Sequence, residues 1–118
     1  MFHLNENTQV YIRTSPTDMR KSIDGLVALV IDEFQTPPQS GHLFVFCNRN
    51  RDKVKVVGWD KNGFALYYKR LDRKRFQFSW TDNGDALIVS HEQLSWLLAG
   101  LDFQLMREFS HLKYEHYY

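Results

Sequence analysis

The sequence predicts an α+β fold, a single domain in which an antiparallel β-meander packs with an N-terminal helix and C-terminal helices, and three observations lead there. Apolar residues recur every three or four positions from Met19 to Phe34. From residue 42 onward short alternating runs follow one another, joined by connections too short to hold a crossover helix. After Ser90 the leucines return to a helical period. With 118 residues, 43% of them apolar, the chain can bury one core, so residues 1–118 are read as one domain.

The first element is "TQVYIRT" (8–14), short, β-branched and alternating, which reads as a strand. In "SPTDMRKSIDGLVALVIDEF", Ser15 is placed to cap a helix. Pro16 suits the first helical position and Asp18 the third, so the helix is expected to begin there. Met19, Ile23, Leu26, Val30 and Phe34 then lie along one face. Gly25 costs that helix roughly 1 kcal/mol relative to alanine, which calls for close packing or simple tolerance. "QTPPQSG" (35–41) ends it, because Pro37 and Pro38 cannot continue its hydrogen bonds.

"HLFVF", "KVKVVGW", "FALYYKR", "RFQFSW" and "ALIV" read as successive strands. Asn62-Gly63 in "WDKNGF" supplies residues tolerant of positive φ for a tight hairpin. Alternation then places Lys53, Lys55, Val57 and Trp59 on one face of their strand, and Phe64, Leu66, Tyr68 and Arg70 on one face of the next. Which face covers the core is left open, since both carry aromatics. Ser90 to Gln93 has capping-box spacing ahead of Leu94, Leu97, Leu98 and Leu101. Gly100 is expected to stop that helix and Asp102 to cap another, and 110–118 is read as a tail that is flexible, docked or partner-binding, the three being left open.

The formal charge of +1 conceals an uneven distribution. Between Arg49 and Arg75 ten Lys or Arg face three Asp, while the rest of the chain holds five basic and eleven acidic residues. "KRLDRKRF" (69–76) alone carries five cations in eight positions. Such polarity can orient a domain toward an anion or toward another protein subunit. Arg49, Arg51, Lys53 and Lys55 alternate, and with Lys69, Arg70, Arg73, Lys74 and Arg75 they are the candidate phosphate contacts. No helix-turn-helix pattern or paired cysteines point to a base reader.

Catalytic signals are weaker. His3, His42, His91, His111 and His116 form no H-E-x-x-H motif, Cys47 in "LFVFC" reads as a buried thiol, and no nucleophile elbow or phosphate-cradling glycine loop is present. Asp60, Asp82 and Asp85 raise a metal-dependent nuclease as an alternative, but they fall in expected turns where polar caps are the simpler reading. Trp59, Trp80 and Trp96 are expected to pack in or beside the core. No metal or other cofactor is called for. The start "MFHLNENTQV" lacks the features of a signal peptide and no run is long enough to span a bilayer, so a cytoplasmic protein with no membrane partner is expected.

"TDMRKSIDGL" (17–26), "SGHLFVFCNRNRDKVKVVGWDKNGFALYYKRLDRKRF" (40–76) and "SHEQLSWLLAGLD" (90–102), in that order, give the chain its resemblance to a known family. It resembles the small TnpB-type accessory protein encoded by the second open reading frame of a class of bacterial insertion sequences. The shared motif falls on Asp18, Met19, Arg20, Lys21, Asp24 and Gly25, then on Asn48, Arg49, Arg51, Asp52, Lys55, Trp59, Asp60, Gly63, Lys69, Arg70 and Leu71. Lys74 stands where the family has a small glycine turn, and "FSWTD" replaces a segment where a proline is expected. The resemblance implies participation in DNA transposition alongside a separate transposase and another accessory protein, and does not imply that this chain cleaves DNA. A noncatalytic accessory subunit that contacts DNA phosphates or helps to assemble the transposase complex is the expected function, with a cytoplasmic, nucleoid-associated location. An adaptor that binds the transposase without touching DNA is the alternative. Arg20 and Lys21, in the first motif, are candidate contacts to DNA or to an acidic partner.

Overall fold

The structure, a computed structural model, describes residues 4–77, 80–81 and 84–99. The expectations for Gly100, for a helix capped by Asp102 and for the 110–118 tail lie outside the described residues. The elements are β1 (Val10–Ile12), α1 (Ile23–Glu33), β2 (Leu43–Cys47), β3 (Lys53–Asp60), β4 (Gly63–Arg70), β5 (Leu87–Val89) and α2 (His91–Leu98). The strands form one sheet in the order β4-β3-β2-β1-β5.

β2, β3 and β4 are the expected antiparallel meander. β1 lies parallel to β2, a pairing that requires a crossover, and α1 supplies it. β5 does not extend the meander but pairs antiparallel with β1 at the far edge. "RFQFSW" builds no strand among its described residues beyond an isolated bridge at Gln77. Phe76 is buried in the core, but its amide donates to Arg51 O, in the turn before β3, and not to the free edge of β4.

Both faces of the sheet are covered, which answers the question that alternation leaves open. Val10, Ile12, Leu43, Val45, Cys47, Val54 and Val56 pack with Leu94 and Leu97 of α2, while Trp80 and Trp96 lean on the same cluster. On the opposite face Phe44, Phe46 and Val57 meet Leu26, Val30 and Phe34, with Met19, Phe64 and Leu66 at its margin. Phe34 sits edge-on to Phe44 at 5.3 Å and to Phe46 at 6.1 Å between ring centroids. Trp59 pairs with Phe64 at 5.0 Å.

α1 begins at Ile23, seven residues after the start that Pro16 marks, and its N-cap Ser22 makes no side-chain cap bond. Residues 13–21 find other partners first. Arg13 N donates to Val45 O at 2.9 Å and Thr17 N to Cys47 O at 2.8 Å, so the chain runs on alongside β2 beyond the end of β1 instead of turning into a helix at Pro16. Gly25 has a spatial reason: a Cβ there would come within 3.2 Å of Lys21 Cβ, where the connector turns into α1. α2 follows expectation, with the reciprocal Ser90–Gln93 capping box in place.

The β3–β4 turn sits one residue earlier than Asn62-Gly63 implies. Asp60 pairs with Gly63, so Lys61 and Asn62 form the loop, and Lys61 carries the left-handed φ of 58°. Lys61→Gly is therefore expected to raise stability by about 1 kcal/mol, seen as a higher urea midpoint. Gly63→Ala, with open space around the added Cβ, should change the unfolding free energy by less than about 0.5 kcal/mol in the same titration.

Candidate nucleic-acid interface

Strand direction decides where the cations go. β2 ends, β3 begins and β4 ends at the same edge of the molecule, so the turn at 48–52 and the segment after Arg70 become neighbours. Lys53 faces Arg70 across the β3–β4 ladder. Beyond the ladder the two segments remain joined: Leu71 N donates to Asp52 O at 2.7 Å, and Phe76 N to Arg51 O at 2.6 Å. Arg73, Lys74 and Arg75 are exposed on the span between these tethers.

The 48–52 turn is organised by Asn48. Its Oδ1 accepts from Asp52 N at 3.1 Å and Lys53 N at 3.0 Å, while its Nδ2 donates to Asp52 Oδ1 at 2.6 Å. That last bond, helped by Lys53 and Arg75, holds the Asp52 carboxyl below its ordinary range. Arg51 takes a left-handed φ of 60° in this turn. Cys47, just before it, is buried, and desolvation pushes its thiol up to about 12, so it is not a nucleophile at neutral pH.

Arg20 and Arg49 join Lys53 around an open depression of about 640 Å³, whose walls also include Asp18, Met19, Asn48 and Tyr68. Arg20 is clamped by Asp18, with Nη2 at 2.7 Å and Nε at 3.0 Å from Oδ2. This pair lowers the Asp18 carboxyl to about 2, first through the side-chain bond from Arg20 and then through the Arg20 amide. Asp18 thus serves in local pairing rather than as a helix cap. Lys21 is exposed beside it.

Two of the nine candidate phosphate contacts in the middle of the chain are committed elsewhere. Lys55 Nζ donates to Met19 O at 2.9 Å and Lys21 O at 2.7 Å, and lies 5.4 Å from the centroid of the Tyr68 ring. It pins the connector to the sheet and so positions Arg20. Lys69 points to the other face, where its Nζ donates to Leu98 O at 2.6 Å, satisfying a carbonyl at the end of α2. Among the described residues neither Arg49 nor Arg70 forms an ion pair. Among the described residues, Lys53 and Arg73 form ion pairs only as long contacts of 3.8 Å to Asp52 and 3.7 Å to Asp72.

The aspartates of the nuclease alternative are not gathered. Asp60 closes the β3–β4 turn, whereas Asp85, whose carbonyl accepts from Thr14 Oγ1, sits at the opposite end of the sheet; Asp82 is outside the described residues. Among the described residues no three His, Cys, Asp or Glu come together as a metal site, and no helix is long and apolar enough to cross a membrane. Tyr68 and Asn48 are the site residues that charge patterning alone passes over. The alternation of Tyr68 with Arg70 carries the signal for the first, but its partners appear only once the register is known.

The profile of the family described as IS66 Orf2 like protein matches residues 8–108. The chain belongs to that family. Two relatives in Sinorhizobium fredii carry the likeness over most of the length. The uncharacterized protein y4hO is 38% identical over 108 residues, covering 92% of this chain and 93% of its own. The uncharacterized protein y4jC is 37% identical over 95 residues, covering 80% of each. No solved structure matches significantly. Membership in the IS66 Orf2-like family places the chain in a noncatalytic accessory role within an insertion-sequence system.

Lys55→Met keeps the apolar stem and leaves the Met19 and Lys21 carbonyls without their charged donor. Because those bonds are partly exposed, the loss is expected to be about 1–2 kcal/mol in a urea titration, with faster tryptic cutting at Arg20 and Lys21. An unchanged midpoint and cutting rate would contradict the pinning role.

Proposed function

We propose that this chain is a noncatalytic subunit of a DNA-transposition complex whose basic end binds DNA phosphates. Arg49, Lys53, Arg70, Arg73, Lys74 and Arg75 make the contacts, and Arg51 and Lys21 flank them. Lys55 and Lys69 hold the scaffold that presents them. The observation that carries this reading is the joining of the 48–52 turn to the 71–76 segment, which brings cations distant in sequence to one end of the sheet.

Phosphate contact by lysine and arginine fixes position without reading sequence, so target choice falls to the cognate transposase or to the other accessory protein with which this subunit assembles. The chemistry needs no metal or cofactor of its own. The subunit acts in the cytoplasm, on nucleoid DNA.

Fluorescence anisotropy with a labelled duplex of element-end sequence tests this. Six phosphate contacts give a log Kd against log salt slope with a magnitude of about 5 between roughly 50 and 200 mM salt. Arg70→Glu combined with Arg73→Glu should weaken binding at least about tenfold while circular dichroism remains native. Salt-independent binding, or unchanged affinity in the double variant, would overturn the reading. Stable capture of the transposase without DNA, by a protein that does not bind DNA, would establish the adaptor alternative instead.

A further inference from the structure

We infer that Tyr68 is a stacking platform for an unpaired base, and that the basic end accommodates a single-stranded DNA segment with its phosphates on Arg49, Lys53 and Arg70. This rests on the phosphate-contact reading above and specifies its ligand.

The face of β3 and β4 that carries α1 changes character row by row along the ladder. Trp59–Phe64 and Val57–Leu66 are apolar, and Val57, Phe64 and Leu66 belong to the α1 cluster. The next row is Lys55–Tyr68 and the one after it Lys53–Arg70. Tyr68 is outside the α1 cluster and 50% exposed, although it lies within a strand. Its ring borders the open depression that Arg20, Arg49 and Lys53 share.

An exposed aromatic side chain is unremarkable by itself. Tyr68 differs in being fixed and in the company it keeps. The Lys55 ammonium, held by two carbonyls, lies against the ring and restrains it before any ligand arrives. A tyrosine with two side-chain torsions loses little further freedom on binding. The Lys53–Arg70 row is two residues away, roughly 7 Å along the strands. A nucleotide whose base lies on Tyr68 therefore has cations within reach of its backbone.

Stacking of this kind tolerates any base, because each base has a π-face. That agrees with a site built from cations and one aromatic ring. In a duplex the faces of the bases are already occupied by their neighbours, so the ring engages only a base that is out of the stack.

The test uses the full chain and three labelled probes of equal length: single-stranded oligothymidine, its abasic counterpart, and a duplex. The wild type should bind oligothymidine about tenfold more tightly than the abasic strand. Tyr68→Ala should reduce oligothymidine binding to the abasic level without changing abasic or duplex binding, and Tyr68→Phe should retain the preference. Arg70→Glu should weaken all three. Equal wild-type affinity for the base-bearing and abasic strands, or full oligothymidine affinity in Tyr68→Ala, would overturn the stacking platform; salt-dependent binding would still support phosphate contact. Failure to bind any probe would overturn both.

Discussion

The basic end depends on a short backbone splice. Without the bonds from Leu71 N to Asp52 O and from Phe76 N to Arg51 O, the chain after β4 would leave the sheet edge, and Arg73, Lys74 and Arg75 would have no fixed relation to Arg49 and Lys53. Like charges oppose such gathering. Burial of the Phe76 side chain, worth about 2 kcal/mol on apolar transfer, anchors the far end of the span. Asp52, held by Asn48 and kept ionised, places one negative charge among the cations. Screening by salt weakens the residual repulsion between side chains that remain in water.

The same arrangement separates charges that build the surface from charges that present themselves on it. Lys55 and Lys69 occupy neighbouring strands, yet they point to opposite faces and satisfy carbonyls of different elements, the connector before α1 and the end of α2. Each ties a helix-bearing segment to the meander. Arg49, Arg70, Arg73, Lys74 and Arg75 are instead exposed, grouped around the 48–52 turn and the end of β4. An accessory role in transposition, as the IS66 Orf2-like family has, requires no catalytic group at this surface.

Much of this was legible in the residues. Short connections between alternating runs specify the β2–β3–β4 meander, and the Ser90–Gln93 box specifies the start of α2. The start of α1 was not, because Ser15, Pro16 and Asp18 satisfy local helix rules while β2 and Lys55 offer the same backbone better partners from a distance. The parallel β1–β2 pair and the return of β5 to the far edge are likewise long-range choices that periodicity does not encode. At the candidate site, density of charge revealed the region but not the direction of each side chain. Strand register was needed to send Lys69 to one face and to set Tyr68 beside Lys55 on the other.

Amide hydrogen exchange, followed residue by residue by NMR, tests the splice most directly. The Leu71 and Phe76 amides should be protected to a degree comparable with the β3–β4 ladder, while those of Arg73 and Lys74 exchange quickly. Exchange at Leu71 and Phe76 as fast as at Arg73 would mean that the segment is not held against the 51–52 turn, and that the cations do not form one surface.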